Sequence, residues 1–219
     1  MSLTAALLMS AALFAQYTPR QGEWLHFSYS YLMMLNKPTE LTENWRSNAW
    51  QMQILNERSF GIKSHLGLGY GLGISNFYYH NNLRISTNAG NDKLNYTWLA
   101  QDSTYNTNRF SATYLDVPIE LRYRSNTNKY GHYFRFYVGA LVGVRINSFS
   151  HFRNNDYSVK NYRINDMAQW HYAVFVRTGF WLFNLYACYS LSPTFTSAPT
   201  GWEGLKDIHS LQLGISLSL

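Results

Sequence analysis

Eight stretches of the chain alternate large apolar residues with small or polar ones at period two, the spacing of a β-strand whose faces meet different surroundings. In the first, residues 24–34, Leu25, Phe27, Tyr29, Tyr31 and Met33 oppose His26, Ser28 and Ser30. The second, 48–56, sets Trp50, Met52 and Ile54 against Gln51 and Gln53. In the third, 60–79, Leu66, Leu68, Tyr70, Leu72 and Ile74 share one face, and Gly67, Gly69, Gly71, Gly73 and Ser75 the other. The fourth, 114–124, places Leu115, Val117, Ile119, Leu121 and Tyr123 opposite Asp116, Pro118, Glu120, Arg122 and Arg124. The remaining runs are 133–147, 169–181, 184–191 and 209–219.

The connections sort by length. Short links at 56–59, 125–132 and 182–183 alternate with long polar ones at 35–47, 80–110, 148–168 and 192–208. One end is trimmed and the other elaborated, which predicts an all-β fold, an eight-stranded antiparallel up-and-down transmembrane β-barrel with short periplasmic turns and long extracellular loops. Such a chain belongs in the outer membrane of a Gram-negative bacterium. A water-soluble barrel would turn the apolar faces inward, but an eight-stranded interior holds one layer of side chains and these aromatics would overfill it. The large faces therefore meet lipid, and every backbone polar group is satisfied in a closed ladder.

The same parity assigns a lumen. Lys63, Asp116, Glu120, Arg122, Arg124, Arg135, Arg145 and Arg177 project inward, with His26, His65 and His171. A charge in so narrow a space is costly unless paired, so Asp116 and Glu120 are expected to form cross-barrel salt bridges with the arginines, and the lumen is expected to be plugged. The glycine face of the third strand then leaves room for long side chains from other strands. Trp24, Tyr31, Tyr78, Tyr79, Tyr123, Tyr133, Trp170 and Trp181 fall near strand ends, where interfacial girdles belong.

Composition adds limits. Only 14% of the 219 residues are charged and 17% are aromatic, yet no apolar run reaches the length of a membrane helix. The formal charge of +6 comes from scattered Lys and Arg without a basic run, which argues against nucleic acid. Residues 1–15 read as a signal peptide, with small residues near a cut after Ala15, leaving 16–219 as the barrel domain. Cys188 is the only cysteine, so no internal disulfide forms.

The segment TYLDVPIELRYR, residues 113–124, resembles the fourth strand of the PorT-like outer-membrane β-barrel proteins of Bacteroidetes, FRFYVGALVGVRINS their following strand, and LQLGISLSL their last. The resemblance implies a small eight-stranded outer-membrane barrel, and for some members a link to protein secretion or gliding.

For chemistry, a nucleophile, a base and an orienting acid must converge. His26, His65 and His171 share the predicted lumen with Asp116 and Glu120, and Ser28 and Ser64 are conceivable nucleophiles, but no spacing selects a triad. No Cys/His pattern suggests zinc, and GLGYGLG lacks the following helix of a phosphate loop. The expectation is a monomeric, non-enzymatic barrel without cofactors, surrounded by outer-membrane lipid and lipopolysaccharide. Its Asn-, Thr- and Tyr-rich loops are open to a protein partner. A small-solute channel, an accessory role in secretion and an outer-membrane enzyme are the alternatives.

Overall fold

A computed structural model describes residues 23–60, 65–87, 94–100 and 105–219. The expected signal peptide, Lys63 and Ser64 lie outside the described residues. The elements in chain order are β1 (Leu25–Leu35), β2 (Asn48–Ser59), β3 (Leu66–His80), β4 (Leu83–Thr87), β5 (Leu94–Trp98), β6 (Thr107–Arg124), β7 (Phe134–Arg153), β8 (Ser158–Tyr162), β9 (Trp170–Phe180), β10 (Phe183–Ser190) and β11 (His209–Ser218), with a 3-10 turn at Glu203–Asp207.

Eight of these form a ring. The order β6-β3-β2-β1-β11-β10-β9-β7 is closed by β6 pairing with β7, and every neighbour is antiparallel. The first and last ring strands meet with Tyr29 opposite Ile215. Their alternation runs opposite to that of a water-soluble protein. Leu72, Ile119 and Ile215 are more than half exposed on the outer wall, while Arg122 and Arg177 are fully buried inside. Only a surrounding of lipid makes both faces favourable at once.

The eight expected strands are all present; β2 runs three residues past the expected 48–56, and two others are much longer than the pattern suggested. β6 begins at Thr107 and β7 runs on to Arg153, past a register shift between Thr113 and Tyr114. Beyond that bulge the outward positions include Asn147 and His151, so the apolar period that marks a lipid-facing strand is lost although pairing continues. Pro118 sits where the β3–β6 ladder is interrupted, between the pairs Tyr70–Ile119 and Gly73–Asp116, in keeping with its missing N–H. Three further strands were not expected from the sequence. β4 and β5 form a hairpin of their own, and β8 pairs with the extension of β7.

The glycine face of β3 makes room as anticipated. A Cβ on Gly69 would stand 2.7 Å from Arg122 Nε, and one on Gly143 of β7 only 2.1 Å from Asp116 Oδ1. Side chains from β6 occupy the space on both flanks.

Candidate functional site

The interior divides into two levels. The level near the short turns is ionic. Arg122 donates from Nε to Glu120 Oε1 at 2.7 Å and from Nη1 to Glu57 Oε2 at 2.6 Å and to the Glu23 carbonyl at 3.0 Å. Its Nη2 donates to His26 Nε2 at 3.0 Å, and since a guanidinium only donates, the His26 ring proton lies on Nδ1, 2.8 Å from Ser218 Oγ. Arg177 donates to Glu120 Oε2 at 2.8 Å and to Gln53 Oε1, with its guanidinium over the rings of Phe175 and Tyr186. Arg124 pairs with both oxygens of Glu57 and donates to Tyr137 Oη at 2.8 Å, and Arg135 lies 3.0 Å from Glu23 Oε1. Tyr133 and Tyr137 also donate to the Glu23 carboxylate.

Six of the eight residues assigned to the charge network are thus inside the barrel and engaged there. Two corrections follow. Asp116 meets no arginine: Ser75 donates to its Oδ2 at 2.6 Å, and its Oδ1 lies 3.8 Å from His171 Nδ1. It stands too far toward the loops for the arginines below to reach. Arg145 joins no carboxylate, because just below the bulge it turns to the Ile164 carbonyl and Gln169. His65, expected in the lumen, is exposed at the short-turn end, where its Nδ1 faces the Arg124 carbonyl at 2.7 Å.

Glu57 and Glu23 were missed. Glu57 continues the inward parity of Gln51 and Gln53 and was legible by extending that strand. Glu23 breaks the parity of β1, since His26 and Ser28 point inward at even positions, and no periodicity could find it.

Between the levels, Ser190 Oγ lies 3.0 Å from His171 Nε2, and His171 Nδ1 faces Asp116. The order serine, histidine, aspartate is that of a hydrolytic triad. The imidazole–carboxylate distance of 3.8 Å exceeds a hydrogen bond, and the adjoining cavity of about 10 Å³ admits one water and no acyl group. Among the described residues no cluster of three metal-ligating side chains is present.

The level near the long loops is apolar. Phe77, Tyr79 and Phe110 turn inward from the wall, Tyr79 and Phe110 stacking at 4.7 Å and Phe195 meeting Phe110 edge-on at 5.2 Å. Each long connection adds buried side chains to this cluster: Leu41 from the first, Leu83, Ile85 and Tyr96 from the second, Ile164 and Met167 from the third, Phe195, Leu205 and Ile208 from the fourth. Tyr79, expected in the girdle, is 4% exposed because its odd position in β3 faces the lumen, where its hydroxyl meets Ser210 at 2.8 Å. Tyr96 donates to Asp166 Oδ2 at 2.7 Å, and burial together with that carboxylate pushes the phenol well above its ordinary pKa. The loops are therefore docked on a shared core. Trp24, Tyr31, Tyr123, Trp170 and Trp181 are exposed near strand ends, as girdle residues should be.

A family model described as "Outer membrane protein beta-barrel domain" matches residues 14–196. No curated protein matches the chain. Among solved structures, the crystal structure of Ail, the attachment invasion locus protein of Yersinia pestis, is similar over 91% of this chain and 100% of that one, at 10% identity and a TM-score of 0.36, a likeness too loose to carry an argument.

Proposed function

The chain belongs to the outer membrane protein β-barrel domain family, and on that premise we propose that it is an integral outer-membrane barrel with a plugged lumen, acting as a structural or interaction protein through long loops that face the cell exterior. The observation that carries the reading is the double filling of the interior. Paired ions occupy the short-turn level, and an apolar core built from all four long connections caps the other. A conducting pore needs a continuous wet path, and among the described residues neither level offers one. Protein purified into planar bilayers should stay electrically silent, and discrete single-channel steps would overturn this in favour of a small-solute channel.

The barrel works as a monomer without catalysis or cofactor. The finer placement among the PorT-like barrels rests on the YLDVP segment, residues 114–118, and an accessory role in secretion rests on that placement alone. Normal secretion after deletion of the gene would remove that second reading and leave the first intact.

A further inference from the structure

On the outer wall, at the long-loop end, register aligns two rungs of side chains across β3, β6, β7 and β8. The lower rung is Tyr78, Ser111, Phe149 and Tyr162, and the next one outward is His80, Arg109, His151 and Lys160. Arg153 extends the basic rung, two residues beyond His151 on the same face.

The cations of this rung are unlike those of the lumen. Each lumenal arginine of the ionic level has a carboxylate partner, whereas Arg109, Arg153 and Lys160 form no ion pair with a carboxylate among the described residues. Arg109 is held instead by aromatics, 4.7 Å above the Tyr78 ring and 6.0 Å from that of Phe149. Its Nε and the Nδ1 of His151 are enclosed without a hydrogen-bond partner. With no carboxylate paired to Arg109, Arg153 or Lys160 among the described residues, the patch carries a positive potential.

We propose that this basic rung binds the phosphate groups of the anionic lipid in the leaflet around the long-loop end, which in the outer membrane is the phosphorylated glycolipid lipopolysaccharide. The inference rests on the reading that this end faces the cell exterior. Position selects the lipid over a soluble anion. Aromatic residues mark the headgroup level of a barrel, and the basic rung lies about 7 Å beyond them, on the wall, facing sideways into the leaflet. Arg109, with a planar guanidinium, and Lys160, a flexible point charge, suit phosphate oxygens.

The test is binding of purified lipopolysaccharide to the full-length barrel in zwitterionic detergent, compared with the same lipid after enzymatic removal of its phosphates. R153Q/K160Q changes two exposed side chains and should weaken binding of the phosphorylated lipid about thirty-fold, with no change in the dephosphorylated form. R109Q should weaken it further, and K129Q, which changes a lysine of a short turn at the other end, should bind as wild type. Equal affinity of R153Q/K160Q and wild type, or full competition by free inorganic phosphate, would overturn the proposal. Orientation is checked separately by labelling K160C on intact cells with an impermeant maleimide. Absence of label would contradict the outward reading, and with it the lipid source, whereas label without phosphate-dependent binding would overturn the lipid site alone.

Discussion

The two levels of the lumen solve one problem by different physics. Near the short turns, Arg122 and Arg177 are fully buried and stabilised by Glu120, Glu57 and Gln53. Near the long loops, Phe77, Phe110, Phe195 and Leu205 are equally buried and meet mostly carbon. The ionic level is an all-or-none device, because loss of one partner strands a charge in a site with little water. The apolar level is graded, since each truncation removes contact area and leaves a cavity. The ionic level belongs to the barrel wall itself. The apolar level ties loops to the wall, and its failure should open loops while leaving the ring closed.

Removing Glu120 should give the largest effect. E120A strands Arg177, whose one carboxylate partner among the described residues is Glu120, and leaves Arg122 with Glu57 alone; it is expected to cost about 3–5 kcal/mol, read as a lower midpoint for urea unfolding in detergent. F195A, at the centre of the apolar level, should cost about 3 kcal/mol, but as faster proteolysis of the loops with an unchanged barrel midpoint. Equal losses of barrel stability from both variants would break the comparison.

The hairpin of β4 and β5 provides a finer probe. Y96F removes the hydrogen bond to Asp166 and should loosen the hairpin by about 1.5–2 kcal/mol. The phenol's pKa is raised in the folded state, so its contribution is fully present below the ordinary phenol value of roughly 10 and is lost as pH rises above it. Protease sensitivity of the 83–98 region should therefore rise in alkali in the wild type and respond less in Y96F. The smallest effect is expected from E120Q/R177M. The side-chain amide at position 120 still accepts from Arg122 Nε, no ion is stranded, and the barrel midpoint should stay near wild type.

How much of this was legible follows from what each element faces. The lipid-facing strands carry an unbroken period of two because one face must be apolar, so Leu66 to Ile74 and Leu115 to Tyr123 announced the ring, and connection lengths announced its two ends. Inward parity also located Glu120, Arg122 and Arg177, although not which carboxylate met which arginine. Asp116 shares their face but stands nearer the loops, a matter of height that parity does not encode. The apolar level was hidden because Leu41, Ile164, Phe195 and Leu205 come singly from irregular segments, and no local pattern joins residues so far apart in sequence. Strands β4, β5 and β8 escaped notice for a related reason. They are 5 residues each, lie beyond the apolar band of the wall and so carry no enforced alternation.

The most direct test of the central claim, a closed membrane barrel whose wall depends on its ionic level, is gel mobility of detergent-folded protein against incubation temperature, with far-ultraviolet circular dichroism in parallel. Wild type and F195A should run as a compact β-rich species up to the same temperature and then shift together, while E120A shifts well below it. A wild type with no heat-dependent shift, or an E120A that shifts with the other two, would contradict the account.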